Sequence, residues 1–163
     1  MRFFPYESYR LATKLTDEEI VNRLDGQLEP KDFFRLSIRG HRPFEGRIIS
    51  NKFIIEMIGH RNSFRPKITG IILNDINGSI VSIRMRMAIV TYLFMTIWLG
   101  GVAVSGIRLL SEAFFKRQFD STIFFILLMF AFGYGLMIYG FKSESLKSKR
   151  FLDELFEGSE IIQ

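Results

Sequence analysis

The sequence predicts an α+β membrane protein: a short N-terminal helix, a small antiparallel β meander or roll, a two-helix transmembrane hairpin and an amphipathic C-terminal tail. Three observations predict it. Met87–Ile107 and Ser121–Phe141 are apolar runs without a charged side chain. As helices each covers about 30 Å, the thickness of a hydrocarbon core. Between Phe34 and Met85 apolar residues recur with a period of two, the mark of half-buried strands. Charge is segregated, lying almost wholly before Met87 or after Phe141 apart from a cluster between Arg108 and Asp120. The expected division is a β-rich water-soluble domain at 1–86, a hairpin at 87–141 with spans 87–107 and 121–141, and a juxtamembrane tail at 142–163.

The N-terminus, MRFFPYESYRLATKLTDEE, is too charged and too short of apolar residues for a secretory signal. Thr16-Asp17-Glu18-Glu19 has the form of a capping box, with three carboxylates at the positive end of the helix dipole. Ile20, Val21 and Leu24 give that helix one apolar face, and Gly26 is a plausible stop. Phe34, Leu36 and Ile38 then alternate with Arg35, Ser37 and Arg39 as a first strand. Gly40–Pro43 reads as a turn, followed by strands over 44–49, 53–58, 67–73 and 79–85. Asn77-Gly78 suits the positive φ of a hairpin turn. No linker separates the last strand from the first span, so stiff coupling between sheet and membrane is expected.

The two spans are joined by Arg108–Asp120, whose charges require it to reach an interface. A short connection makes antiparallel neighbours. Gly100, Gly101 and Gly106 in the first span and Gly133 and Gly135 in the second are candidates for close helix packing. Lys67, Arg84, Arg86, Lys142, Lys147, Lys149 and Arg150 flank the outer ends, against Arg108, Lys116 and Arg117 in the loop. The positive-inside rule then places both termini in the cytoplasm, and the chain in the cell (inner) membrane as a multi-pass protein. In the tail, Leu146, Phe151, Leu152, Leu155 and Phe156 fall on one helical face, as for an interfacial helix or one docked on the sheet.

Several chemistries are excluded. The sequence has no cysteine, which removes disulfides, thiolate nucleophiles and iron–sulfur sites. Its two histidines, His41 and His60, are too few for a metal centre. No phosphate loop, dinucleotide fingerprint, zinc-protease or nucleophile-elbow motif is present. The spans hold no charged residue of the kind a proton relay or ion transporter needs. The net charge of +5 is read as topology rather than nucleic-acid binding. The expectation is a protein that is not an enzyme and uses no cofactor or metal.

The densest polar stretch is Gly59–Lys67, where Arg61, Asn62, Arg65 and Lys67 are candidate contacts for an anion or lipid headgroup. Arg35, Arg39, Arg42 and Arg47 are expected on neighbouring strands and turns. A solvated basic rim is the simpler reading of the same residues.

Phe44-Glu45-Gly46-Arg47-Ile48, the run Arg61-Asn62-Ser63-Phe64-Arg65-Pro66-Lys67-Ile68-Thr69-Gly70 and Ile83-Arg84-Met85-Arg86 together resemble a group of uncharacterised small bacterial two-span membrane proteins. The resemblance covers roughly residues 44–100. It implies a bacterial membrane protein and supplies no activity.

The leading functional expectation is a membrane-anchored sensing or scaffolding module whose cytoplasmic β domain binds a ligand, a lipid headgroup or a protein. The alternatives are a membrane-active effector or immunity protein of bacterial competition or phage defence, and an accessory subunit of a larger membrane complex. The expected partners are the lipid bilayer and either another protein or a second copy, with no nucleic acid.

Overall fold

A computed structural model describes residues 4–30, 42–58, 62–117 and 120–161. In chain order the elements are β1 (Tyr6–Thr13), α1 (Asp17–Asp25), β2 (Leu28–Glu29), β3 (Phe44–Ile49), β4 (Lys52–Met57), β5 (Pro66–Asp75), β6 (Gly78–Met87), α2 (Ile89–Lys116), α3 (Thr122–Leu155) and β7 (Ser159–Glu160). The strands form one sheet in the order β2-β3-β4-β5-β6-β1-β7. Strands β3 to β6 make the expected antiparallel meander. The sheet as a whole is mixed, because β2 runs parallel to β3. The strand expected around Phe34–Ile38 lies outside the described residues.

Alternation sorts the side chains onto two faces. Tyr9, Leu11, Phe53, Ile55, Ile68, Ile72, Val81, Ile83 and Met85 are buried on one of them. Gly70 stands opposite Phe53 in the β4–β5 register. A Cβ there would come within 2.0 Å of the Phe53 ring, so the bare backbone of β5 is the seat of that ring. Helix α1 covers part of this face with Ile20 and Leu24. Its capping box is complete: the Glu19 N–H donates to Thr16 Oγ1, and the Thr16 N–H donates to Glu19 Oε2 at 2.8 Å.

The rest of that face is covered by the second half of α3, where the sequence suggests a separate tail. The helix runs unbroken for 34 residues, about 50 Å at the ordinary rise per residue. Its buried positions in this half are Phe141, Ser145, Ser148 and Leu152, followed by the buried Phe156 at its C-cap. Phe151 meets the Phe44 ring edge-on at 5.1 Å, and Phe156 lies 6.2 Å from Phe53. The small serines let the helix lie close to the sheet. The tail is then sewn to β1: Thr13 donates through its hydroxyl to the Phe156 carbonyl at 2.6 Å, and β7 pairs with β1.

Helix α2 and the first half of α3 pack side by side. Gly106 faces Ile126 and Gly133 faces the Trp98 ring. Both helices are long and apolar enough to cross a bilayer. In their most apolar windows only 22% of α2 and 11% of α3 is buried, whereas a core helix of a water-soluble domain is mostly covered. Phe94, Ile97, Phe124, Phe125 and Phe132 are each more than half exposed.

Candidate functional site

Among the described residues no group of three or more histidines or carboxylates is placed to hold a metal ion. The densest polar construction lies instead where the sheet meets the two long helices. Strand β6 ends at Met87 and α2 begins at Ile89, so Ala88 alone joins them. Beside this joint runs Asn62–Pro66. Pro66 opens β5 and pairs with Met87, the last residue of β6. Its fixed φ and missing N–H suit the first position of a strand.

The segment grips β4, β6 and both long helices. Asn62 accepts the Phe64 N–H through Oδ1 at 3.0 Å, closing an Asx turn. The Ser63 carbonyl accepts from the Thr91 hydroxyl of α2 at 2.8 Å. The Phe64 ring lies on Gly140 of α3, where a Cβ would stand 2.7 Å from Phe64 Cδ2. Arg65 donates through Nη1 to the Met57 carbonyl at 2.8 Å and through Nε to the Asn62 carbonyl at 3.1 Å. Beneath them, Glu144 of α3 is hydrogen-bonded to Lys147 at 2.9 Å. Burial pushes the Glu144 carboxyl up. Hydrogen bonds from Lys147 and Asn62, with the nearby charges of Lys147 and Arg65, outweigh that and hold it below its ordinary range.

The structure thus brings Asn62 and Arg65 together in a clip that ties the sheet to both helices. Arg65 turns two of its donors to backbone carbonyls. Lys67 is exposed on the opposite, open face of the sheet, beside Arg86 and Glu56 in the strand registers. Arg61 lies outside the described residues, as do His41, His60, Arg35 and Arg39. Arg42 donates to the carbonyls of Asp25 at 3.0 Å and Leu28 at 2.7 Å. Of the glycines, Gly106 and Gly133 sit between the helices, while Gly100, Gly101 and Gly135 have open space where a Cβ would stand. Phe64, Thr91, Gly140 and Glu144 were missed as site residues. Their only sequence signal is a large ring in a polar loop and a threonine just inside the first apolar run.

Among the described residues the opposite face of the sheet carries neither α1 nor α3. One rung across it reads Ser8, Arg84, Thr69, Ile54 and Arg47; the next reads Tyr6, Arg86, Lys67, Glu56 and Glu45. A groove of about 360 Å³ bordered by Gly46, Arg47, Ile54, Glu56 and Lys67 lies at the β3–β4 end. On the covered face, Tyr9 Oη and Asp153 Oδ1 are buried with no hydrogen-bond partner among the described residues. Burial, with the charges of Asp153, Glu160 and Glu7, drives the Tyr9 phenol far up, and burial also raises Asp153. Lys149 lies 4.7 Å from the centre of the Tyr9 ring and pairs with Glu160 at 2.6 Å.

No family model, curated protein or solved structure matches this chain.

Proposed function

We propose that the protein is a membrane-anchored sensing or scaffolding module. Its hairpin sits in a bilayer, and its sheet stands in the cytoplasm and presents the open face to a ligand or protein partner. No catalytic step is assigned to it. The observation that carries this reading is the double attachment of the sheet. Ala88 joins β6 to α2 directly, and α3 passes unbroken from its apolar half into the sheet's core. A passive anchor needs only a flexible tether. A rigid joint transmits position, which suits a module that displays or reports.

The exposed aromatic and aliphatic surface of the helices supports lipid as their solvent. Lys67, Arg84, Arg86, Lys142, Lys147, Lys149 and Arg150 at the sheet end, against Arg108, Lys116 and Arg117 at the far end, support a cytoplasmic sheet. The chain has no cysteine, so single substitutions test this cleanly. In intact cells an impermeant maleimide should label Ser111→Cys at the far end of α2. It should label Thr69→Cys on the open face only after the membrane is breached. Labelling of Thr69→Cys from outside refutes the orientation. Partner binding is tested by co-purification in mild detergent: Ile54→Asp on the open face should lose what the wild-type chain retains. An identical set of bound species in both would remove the open face from the reading.

A further inference from the structure

The open face ends, at its edge nearest the helices, in a cleft between β1, β6 and the first turn of α2. Phe4, Tyr6, Arg86, Ile89 and Tyr92 line it, and its volume is about 280 Å³. Its chemistry is graded from one end to the other. At the outer end Arg86 is exposed, with Cζ 5.6 Å from the centre of the Tyr6 ring. A ring under a guanidinium holds it in place without neutralising it. Lys67 is the register partner of Arg86 on β5, so a second cation shares the face. Among the described residues neither forms an ion pair with a carboxylate.

At the inner end the walls turn apolar. Ile89 is 75% exposed and Tyr92 45%. Leu93, one turn beyond Ile89, is also exposed and continues the same stripe down the outside of α2. Arg86 lies just before the helix and Tyr92 one turn into it, the order in which a phosphate layer and an aromatic belt are met on entering a bilayer.

The geometry points to this cleft as a binding site for an anionic phospholipid. The phosphate rests on the Arg86 guanidinium with Lys67 beside it, the glycerol occupies the cleft, and one acyl chain runs along Ile89 and Leu93. Charge complementarity selects the headgroup, and continuity with the apolar outer surface of α2 selects a lipid over a free anion. The volume agrees: sites that enclose a whole drug-sized ligand hold about 300–1,000 Å³, so this one takes the head of a lipid and leaves the chains outside. Glu56 and Glu45 follow Lys67 along the same rung, which confines the positive potential to the cleft end. The inference rests on the membrane reading proposed above.

The test uses the full-length chain in mild detergent, titrated with phosphatidylglycerol or phosphatidylcholine, with retained lipid counted by native mass spectrometry. Phosphatidylglycerol should be held about fivefold more strongly, the worth of roughly one cation at an anionic headgroup. Arg86→Gln should abolish the preference. Tyr6→Leu, which keeps the charge and removes the ring that positions it, should weaken it. Arg84→Gln removes the same charge from the same face outside the cleft and should leave the preference intact. Equal retention of both lipids by the wild-type chain, undiminished preference in both cleft variants, or equal loss in Arg84→Gln overturns the site. Displacement of the lipid by millimolar inorganic phosphate would also overturn it, in favour of a free-anion site. A chain that needs no detergent sinks the membrane reading itself, a result distinct from a detergent-dependent chain without lipid preference.

Discussion

The two halves of α3 are made from much the same apolar residues and bury them by opposite rules. In the first half Phe124, Phe125 and Phe132 are 66–69% exposed and Gly133 faces inward onto the Trp98 ring. In the second half Phe141 and Leu152, with Phe156 at its C-cap, are fully buried against the sheet, while Lys147, Arg150 and Glu154 point outward. One continuous helix thus presents an apolar outside, then a polar outside. Hydrophobicity alone does not assign an environment; the direction in which the apolar surface faces does.

The second half tolerates the least truncation. Phe156→Ala should cost about 3–5 kcal/mol, since it empties a closed position between α3 and β4. Thermal unfolding of the detergent-solubilised chain measures it. Phe132→Ala, in the exposed half, should shift the same midpoint far less. A charge sharpens the contrast from the other side. Phe132→Arg, near the middle of the span, should cost about 2.5–3.5 kcal/mol of insertion and lower the membrane-bound fraction, whereas Leu146→Arg in the polar half should leave that fraction unchanged.

The boundary between the halves is the next place to press. Gly140→Ala puts a methyl into the space held by the Phe64 ring and should destabilise by about 1–3 kcal/mol. Proteolysis at the 62–66 segment should rise with it. Thr91→Val removes the hydroxyl donated to the Ser63 carbonyl and should cost about 0.5–1.5 kcal/mol.

The smallest expected effect is one of pH. Glu144 titrates below its ordinary value of 4.5 in the folded chain. Its contribution is therefore present above that value and is lost as pH falls through the lower folded one. Glu144→Gln should flatten the acid limb of the stability profile below about pH 4.5. An acid limb as steep as the wild type's would remove Glu144 from the clip.

Much of the sheet was legible because its signals are local. The Thr16–Glu19 box, the alternation in 44–49 and 78–87 and the Asn77-Gly78 turn each act over a few residues. Strand β1 was not legible. In Tyr6–Thr13 only Tyr9, Leu11 and Thr13 are buried, and Glu7 and Arg10 beside them read as a solvated terminus. Its place between β6 and β7 is a non-local pairing that no window contains. A tail helix docked on the sheet was one of the readings the sequence left open, but the face it would present was hidden. Ser145 and Ser148 look polar, yet they sit under the sheet and return their hydroxyls to carbonyls one turn back. Leu146, read as part of the apolar face, is 49% exposed. The Asn62–Pro66 stretch showed itself as special but not why. An arginine that faces water and one that braces a loop from within look alike in a string of letters.

Ala88 is the whole length of chain between the sheet and its first long helix, and α3 supplies a second strut at a fixed separation. Two struts leave no swivel. When the pair leans, the β-structure must lean by the same angle, and its uncovered side sweeps through an arc set by its distance from the pivot. With the pair seated in a bilayer as proposed, a thicker or thinner bilayer would change the height and heading of that side.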